Sequence, residues 1–131
     1  MESKPRIFIV DDDEMLTMMM SDHLSRQDKY KIEEFSTGEE CLNSLDQKPH
    51  FVVLDYNLDS AAPMAQNGVE IAKKIKEALP HTGIVMHTSE AAHENAQLSL
   101  KYGALACIMK DGKAFTKIET IIETYIDALD L

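Results

Sequence analysis

The sequence predicts an α/β protein in which five strands alternate with five helices, the strands forming a parallel sheet covered on both faces. Three observations carry that expectation. Short apolar runs of strand length recur at Ile7-Phe8-Ile9-Val10, Phe51-Val52-Val53-Leu54, Gly83-Ile84-Val85-Met86-His87 and Ala106-Cys107-Ile108-Met109, the pattern of strands buried on both faces. Between them lie segments whose apolar residues recur at helical spacing. Each of these runs also ends in a polar group: Asp11-Asp12, Asp55, Thr88-Ser89 and Lys110. In an open parallel sheet the C-terminal strand ends line one crevice, where such folds bind ligands, so three acids, a hydroxyl and a lysine are expected to meet there. Asp55, last in its run, is expected to be presented at the sheet edge rather than buried.

The first strand covers 6–10, and Asp11-Asp12-Asp13-Glu14 follow as a loop and first helical turn. One or two acids complement a helix N-terminus. Four in a row repel, and a divalent cation relieves that repulsion; oxygen ligands at a loop suit magnesium, which needs few carboxylates. Asp13 and Glu14 are therefore read as helix-capping residues and Asp11 and Asp12 as metal ligands. The helix over 15–27 carries Leu16, Met20 and Leu24 at spacings of four, with Met15, Met19 and His23 on an adjoining stripe; the methionines are read as core packing and His23 as partly exposed. An alternating strand over 30–36 suits a sheet edge. Ser36 or Thr37 caps a helix over 38–46, with Glu39 or Glu40 as the capping-box partner.

The central strand ends at Asp55, and residues 60–66 read as a loop insertion beside it. Val69, Ile71, Ala72, Ile75, Ala78 and Leu79 mark a third helix that Pro80 stops. After the strand ending at Thr88, a helix over 90–102 has a thin apolar face, Ala91, Ala92, Ala96 and Leu100, and is expected to be weakly docked. The last helix, 115–129, is strongly amphipathic through Phe115, Ile118, Ile122, Tyr125, Ile126 and Leu129.

At 131 residues the chain suits one domain, 1–131, with one core. A net charge of −10 argues against direct nucleic-acid binding, which depends on Lys and Arg. No apolar run approaches the length of a membrane span, and the N-terminus leads straight into a strand rather than a signal peptide, so a cytoplasmic protein is expected. Cys41 and Cys107 lack CxxC or metal-ligand spacing and read as reduced, half-buried thiols.

Asp11, Asp12, Asp55, Thr88 and Lys110, in this order and each at the end of a predicted strand, make the chain resemble the receiver domain of two-component response regulators over essentially its whole length. The resemblance implies a doubly wound, flavodoxin-like sheet of order 2-1-3-4-5. It implies that Asp55 accepts a phosphoryl group from a sensor histidine kinase or a histidine phosphotransfer protein, assisted by Thr88 and Lys110. Mg2+ would be held by Asp12, Asp55 and the Asn57 backbone carbonyl, with Asp11 reaching it directly or through water. The phosphoprotein would catalyse its own phosphorylation and dephosphorylation, pass the signal to a downstream protein target, and have the face of its fourth and fifth helices as a homodimer contact. Asn57 and Glu90, the pair found in chemotaxis-type single-domain receivers, imply a short-lived acyl phosphate.

Several positions depart from the family pattern. Asp59 replaces the usual proline after the acceptor, and the glycine that starts the third-helix region is at best Gly68, thirteen residues beyond Asp55. Cys107 replaces the aromatic residue before the lysine, and Asp111 replaces the proline after it, so a trans link is expected there. An aspartate-nucleophile phosphatase of the haloacid dehalogenase type needs a second Asp where Asn57 stands. The remaining rival is a receiver-like protein-binding module that is not phosphorylated, motivated by Asp59, Cys107 and Asp111.

Overall fold

The computed structural model describes residues 4–58, 67–89 and 93–129. The expectations for Asp59, the 60–66 insertion, Glu90, Ala91 and Ala92 concern residues outside these. The elements run β1 Arg6–Val10, α1 Glu14–Ser25, β2 Lys31–Phe35, α2 Gly38–Leu42, β3 Phe51–Asp55, α3 Gly68–Ala78, β4 Gly83–Thr88, α4 His93–Lys101, β5 Ala106–Met109 and α5 Ala114–Ala128. All strand pairings are parallel and the order is β2-β1-β3-β4-β5, which places the alternating second strand at an edge as expected. No helix among the described residues is long and apolar enough to cross a membrane.

Alternation along the strands divides the core in two. Phe8, Val10, Val52, Leu54, Ile84 and Met86 point to one face, against Cys41 of α2 and Ile71, Ala72 and Ile75 of α3. Ile7, Ile9, Phe51, Val53 and Val85 point to the other, against Met20 and Leu24 of α1 and Ile118, Ile122 and Ile126 of α5. Because side chains alternate with period two, the parallel registers also fix which face each strand-end residue serves.

The helix starts follow from side-chain caps. Asp13 accepts a hydrogen bond from the Leu16 N–H at 3.1 Å and opens α1, as expected of it. Thr37 accepts from the Glu40 N–H at 3.1 Å, which resolves the choice of cap and box partner at α2. The single helix expected over 38–46 is broken, however: α2 ends at Leu42 and a 3-10 turn, Leu45–Gln47, follows. Asn43 and Ser44 at the break are poor helix formers that favour turns, and Lys48 closes the segment with a left-handed backbone at φ 55°.

Three burial expectations need correction. Met15 and Met19 are not core residues: they are 68% and 51% exposed, because the buried stripe of α1 is Thr17, Met20 and Leu24 and one helix face cannot bury all its apolar residues. Cys41 is fully buried rather than half-buried, whereas Cys107 is half-buried as expected. Among the described side chains of α4 the buried one is Ser99, whereas Leu100 is 53% exposed.

Gly68 opens α3 against the end of β3. Its N–H donates to the Tyr56 carbonyl at 2.9 Å, and a Cβ there would lie 2.3 Å from the Asp55 carbonyl oxygen and 2.9 Å from the Tyr56 Cα. These are backbone atoms that cannot turn aside. We expect Gly68→Ala to destabilise the fold by about 1–3 kcal/mol or more, as overpacking does. Gly112→Ala, where nothing lies within 4 Å, should shift stability by no more than about 0.5 kcal/mol in the same urea titration.

Candidate functional site

Period two brings four strand-end residues onto one face. Asp11 continues Ile7 and Ile9, Asp55 continues Phe51 and Val53, His87 continues Val85, and Lys110 continues Ala106 and Ile108, all on the α1–α5 side. The carboxylates of Asp11, Asp12 and Asp55 come within 4.8 Å of one another. The Lys110 ammonium lies between two of them, with Nζ 2.8 Å from Asp11 Oδ2 and 3.4 Å from Asp55 Oδ1. Backbone donors complete the cradle: the Asp13 N–H donates to Asp11 Oδ1 at 3.0 Å and the Asn57 N–H to Asp55 Oδ1 at 3.1 Å.

Asp55 is not presented, contrary to the expectation from its place at the end of an apolar run. Only 4% of it is exposed, as is Asp11, because Leu16, Thr17 and Met20 of α1 lie against the strand ends, while Asp12 is exposed. Thr88 is buried on the opposite side of the sheet by the same alternation, and its carbonyl accepts the Lys110 N–H at 2.7 Å. The link after Lys110 is trans, since no peptide bond among the described residues is cis. Asn57 stands beside the acceptor; Glu90 lies outside the described residues.

His87 was not singled out by sequence reasoning. It pairs in register with Asp55, is 2% exposed, and its Nε2 is buried with no hydrogen-bond partner among the described residues. The available signal was its position: a lone titratable ring in an apolar strand, one residue before the hydroxyl.

Burial first, and then the Asp11 charge, push the Asp55 carboxyl up to about 7, only partly opposed by Lys110. Desolvation and Asp11 also raise Asp12. Desolvation alone would lower Lys110, but the Asp11 and Asp55 carboxylates outweigh it, and the ammonium is held above its ordinary value. Burial, then the Lys110 charge, drive His87 down to about 4, so its ring is neutral beneath the lysine. Three crowded carboxylates, one of them with its pKa raised by burial and a like charge, are oxygen donors that fit a hard divalent cation.

The description "response regulator receiver domain" matches residues 7–123. The chain belongs to the response regulator receiver domain family. This receiver is 29% identical over 122 residues to the response regulator protein VraR of Staphylococcus saprophyticus, covering 92% of this chain and 56% of the relative. It is 27% identical over 121 residues to the uncharacterized transcriptional regulatory protein YhcZ of Bacillus subtilis, covering 91% and 52%. The receiver thus spans about half the length of these relatives. Among solved structures it resembles a CheY-like receiver domain protein from Methanospirillum hungatei JF-1, at TM-score 0.82 and 28% identity over 95% and 96% of the two chains. The BeF3-activated DrrB receiver domain matches at TM-score 0.80 and 27% identity over 95% and 99%. The family and the strand order expected from the sequence are thereby established.

Two pH responses follow in metal-free protein. The Asp55 pKa is raised in the fold, so its contribution to stability is fully present below the unfolded value of about 4 and is lost as pH rises through about 7. Asp55→Asn should therefore melt increasingly above the parent across that interval. His87 is shifted downward, so its contribution is present above about 6.5 and is lost as pH falls through about 4. His87→Leu, which also removes an unpartnered buried nitrogen, should gain about 1–3 kcal/mol, the gain widening toward acid pH in urea titrations.

Proposed function

We propose that this receiver accepts a phosphoryl group on Asp55 in a magnesium-dependent reaction, from a sensor histidine kinase or histidine phosphotransfer protein, and relays the state to a protein target. The observation that carries the reading is the Lys110 ammonium bridging Asp11 and Asp55 within a carboxylate trio. A site built only to bind a partner has no need of an acid at the end of a buried strand with a cation aimed at it.

Asp12, Asp55 and the Asn57 carbonyl, with Asp11 directly or through water, would hold the ion. When bound, magnesium supplies positive charge to the transferring phosphoryl oxygens. The Asp55 carboxyl gives its proton to solvent and the resulting carboxylate attacks phosphorus in line with the donor's P–N bond, which breaks to leave the histidine imidazole as the acyl phosphate forms. The Asn57 N–H, which donates to Asp55 Oδ1, holds the nucleophile in one orientation. Lys110 leaves Asp11 for the new phosphoryl oxygens, and the Thr88 hydroxyl donates a further hydrogen bond to them. Asn57 and Glu90, as a sequence pair of polar and modestly sized residues, support a short-lived acyl phosphate.

The output route differs from one that turns an aromatic side chain inward. Cys107 packs against the α2–α3 side of the core and shares a hydrogen bond with Ser99, the buried residue of α4. Movement of Thr88 on β4 is passed through the paired β5 to this contact, and so to α4. The exposed Leu98, Leu100, Leu105 and Met109 around α4 and β5 are where a target or second copy would bind.

Acetyl phosphate with magnesium should add one phosphoryl mass to the intact chain. Asp55→Asn and chelator should each abolish the addition, and Lys110→Ala should slow it by at least about tenfold. An unmodified parent chain would instead support the phosphorylation-independent binding module.

A further inference from the structure

At the opposite end of the sheet, below the N-terminal strand ends, lies a cleft of about 340 Å3, within the range of small-ligand pockets. Arg6, Lys48, His50 and His81 line it together with Leu79, Pro80 and Leu129. The chain carries 23 acids against 13 Lys and Arg, yet among the described residues those that line this cleft include Arg6 and Lys48 and no carboxylate.

Its walls are held by hydrogen bonds between distant segments. The Arg6 Nε donates to the Gln47 carbonyl at 2.7 Å and its Nη2 to the Lys48 carbonyl at 2.9 Å, which fixes the guanidinium. The Arg6 N–H donates to His50 Nδ1 at 3.0 Å, so the neutral ring carries its hydrogen on Nε2. Burial, then the Arg6 charge, keep that ring below its ordinary pKa and hence neutral. The Thr82 hydroxyl donates to the Pro49 carbonyl at 2.7 Å, and the Tyr125 hydroxyl to the His81 carbonyl. Local structure does not account for all these donors. Lys76 already serves the carbonyls of Pro80 and Thr82, at 2.8 and 2.9 Å, while the Lys48 ammonium and the His81 ring have no partner among the described residues.

We propose that this cleft binds a small organic anion, a carboxylate or phosphate monoester on an apolar body, at the end of the sheet remote from Asp55. The anionic group meets Lys48, the outer edge of the Arg6 guanidinium and the His50 Nε2–H, and the body lies on Leu79, Pro80 and Leu129. Because Arg6 and His50 are oriented before the ligand arrives, little side-chain entropy is lost on binding.

The test is a titration of the 15N-labelled full chain, metal-free in chelator, with hexanoate and with hexyl phosphate, alongside hexanol and inorganic phosphate. Saturable amide shifts at Lys48, His50, His81 and Thr82 are expected with at least one of the two amphiphilic anions, and whichever binds more tightly identifies the anionic group. Hexanol and inorganic phosphate should each bind at least about tenfold more weakly, since each lacks half of the contacts. Lys48→Asn combined with His81→Gln, at exposed positions where Asn tolerates the left-handed backbone of residue 48, should weaken the tighter ligand about tenfold. The variant's own spectrum reports its folding. The proposal is overturned if neither amphiphile gives saturable shifts at these amides, if inorganic phosphate matches hexyl phosphate, or if the double variant binds as the parent does.

Discussion

Three carboxylates gathered within 4.8 Å at the ends of two buried strands set the terms for the rest of this structure. Two like charges about 4 Å apart cost about 4 kcal/mol in surroundings of intermediate polarity, and Asp11 and Asp55 are almost wholly buried. Such a cluster persists only if positive charge or protons enter it. The fold supplies one ammonium, from Lys110, two backbone N–H donors, and the N-terminus of α1 immediately after the acids. That is not enough to keep Asp55 fully ionised, which is why its carboxyl titrates near neutrality. The stability of the sheet end and its readiness to take a cation are thus two consequences of one electrostatic deficit.

Strand alternation decides which groups share that deficit. Asp11, Asp55, His87 and Lys110 occupy neighbouring strands on one face, so the lysine crosses above the neutral His87 ring to reach the acids. Thr88, one residue on, belongs to the other face, with Ile84 and Met86. Its tie to the acidic site runs through the backbone, where its carbonyl accepts the Lys110 N–H. A charge at position 87 would meet Lys110 directly, and burial keeps the imidazole uncharged instead. The sheet pattern that makes the core also makes the site, and shifting any strand by one residue would dismantle both.

Much of this was legible because strand runs and strand-end residues are local signals. The bounds of β1 and β5, the parallel sheet, and the convergence of Asp11, Asp12, Asp55 and Lys110 follow from the apolar runs and their polar terminators. What escaped depends on neighbours that periodicity does not reveal. Asp55 looked exposed because it ends its run, but α1 covers it. Met15 and Met19 looked like core because apolarity does not say how wide a stripe the sheet accepts. Ser99 was passed over as polar although it fills the inward position of α4 against Cys107, where a hydroxyl finds a partner. His87 lay hidden within a strand, and only register shows that it faces Asp55 and Lys110.

In the proposed reaction, the burial that raises the Asp55 pKa works in two directions. A protonated carboxyl is a poor nucleophile, so the raised pKa would work against phosphorylation of a metal-free site as the pH falls below about 7. The same burial keeps water from the acid and strengthens every charge interaction made there. A divalent cation held by Asp11, Asp12 and Asp55 would offset the first effect by favouring the ionised carboxylate. In the proposed reaction, a dependence of Asp55 on the ion would therefore have a cause that precedes the chemistry of phosphorus. Crowding in the acidic cluster opposes full ionisation of Asp55, and a bound cation would favour its carboxylate form.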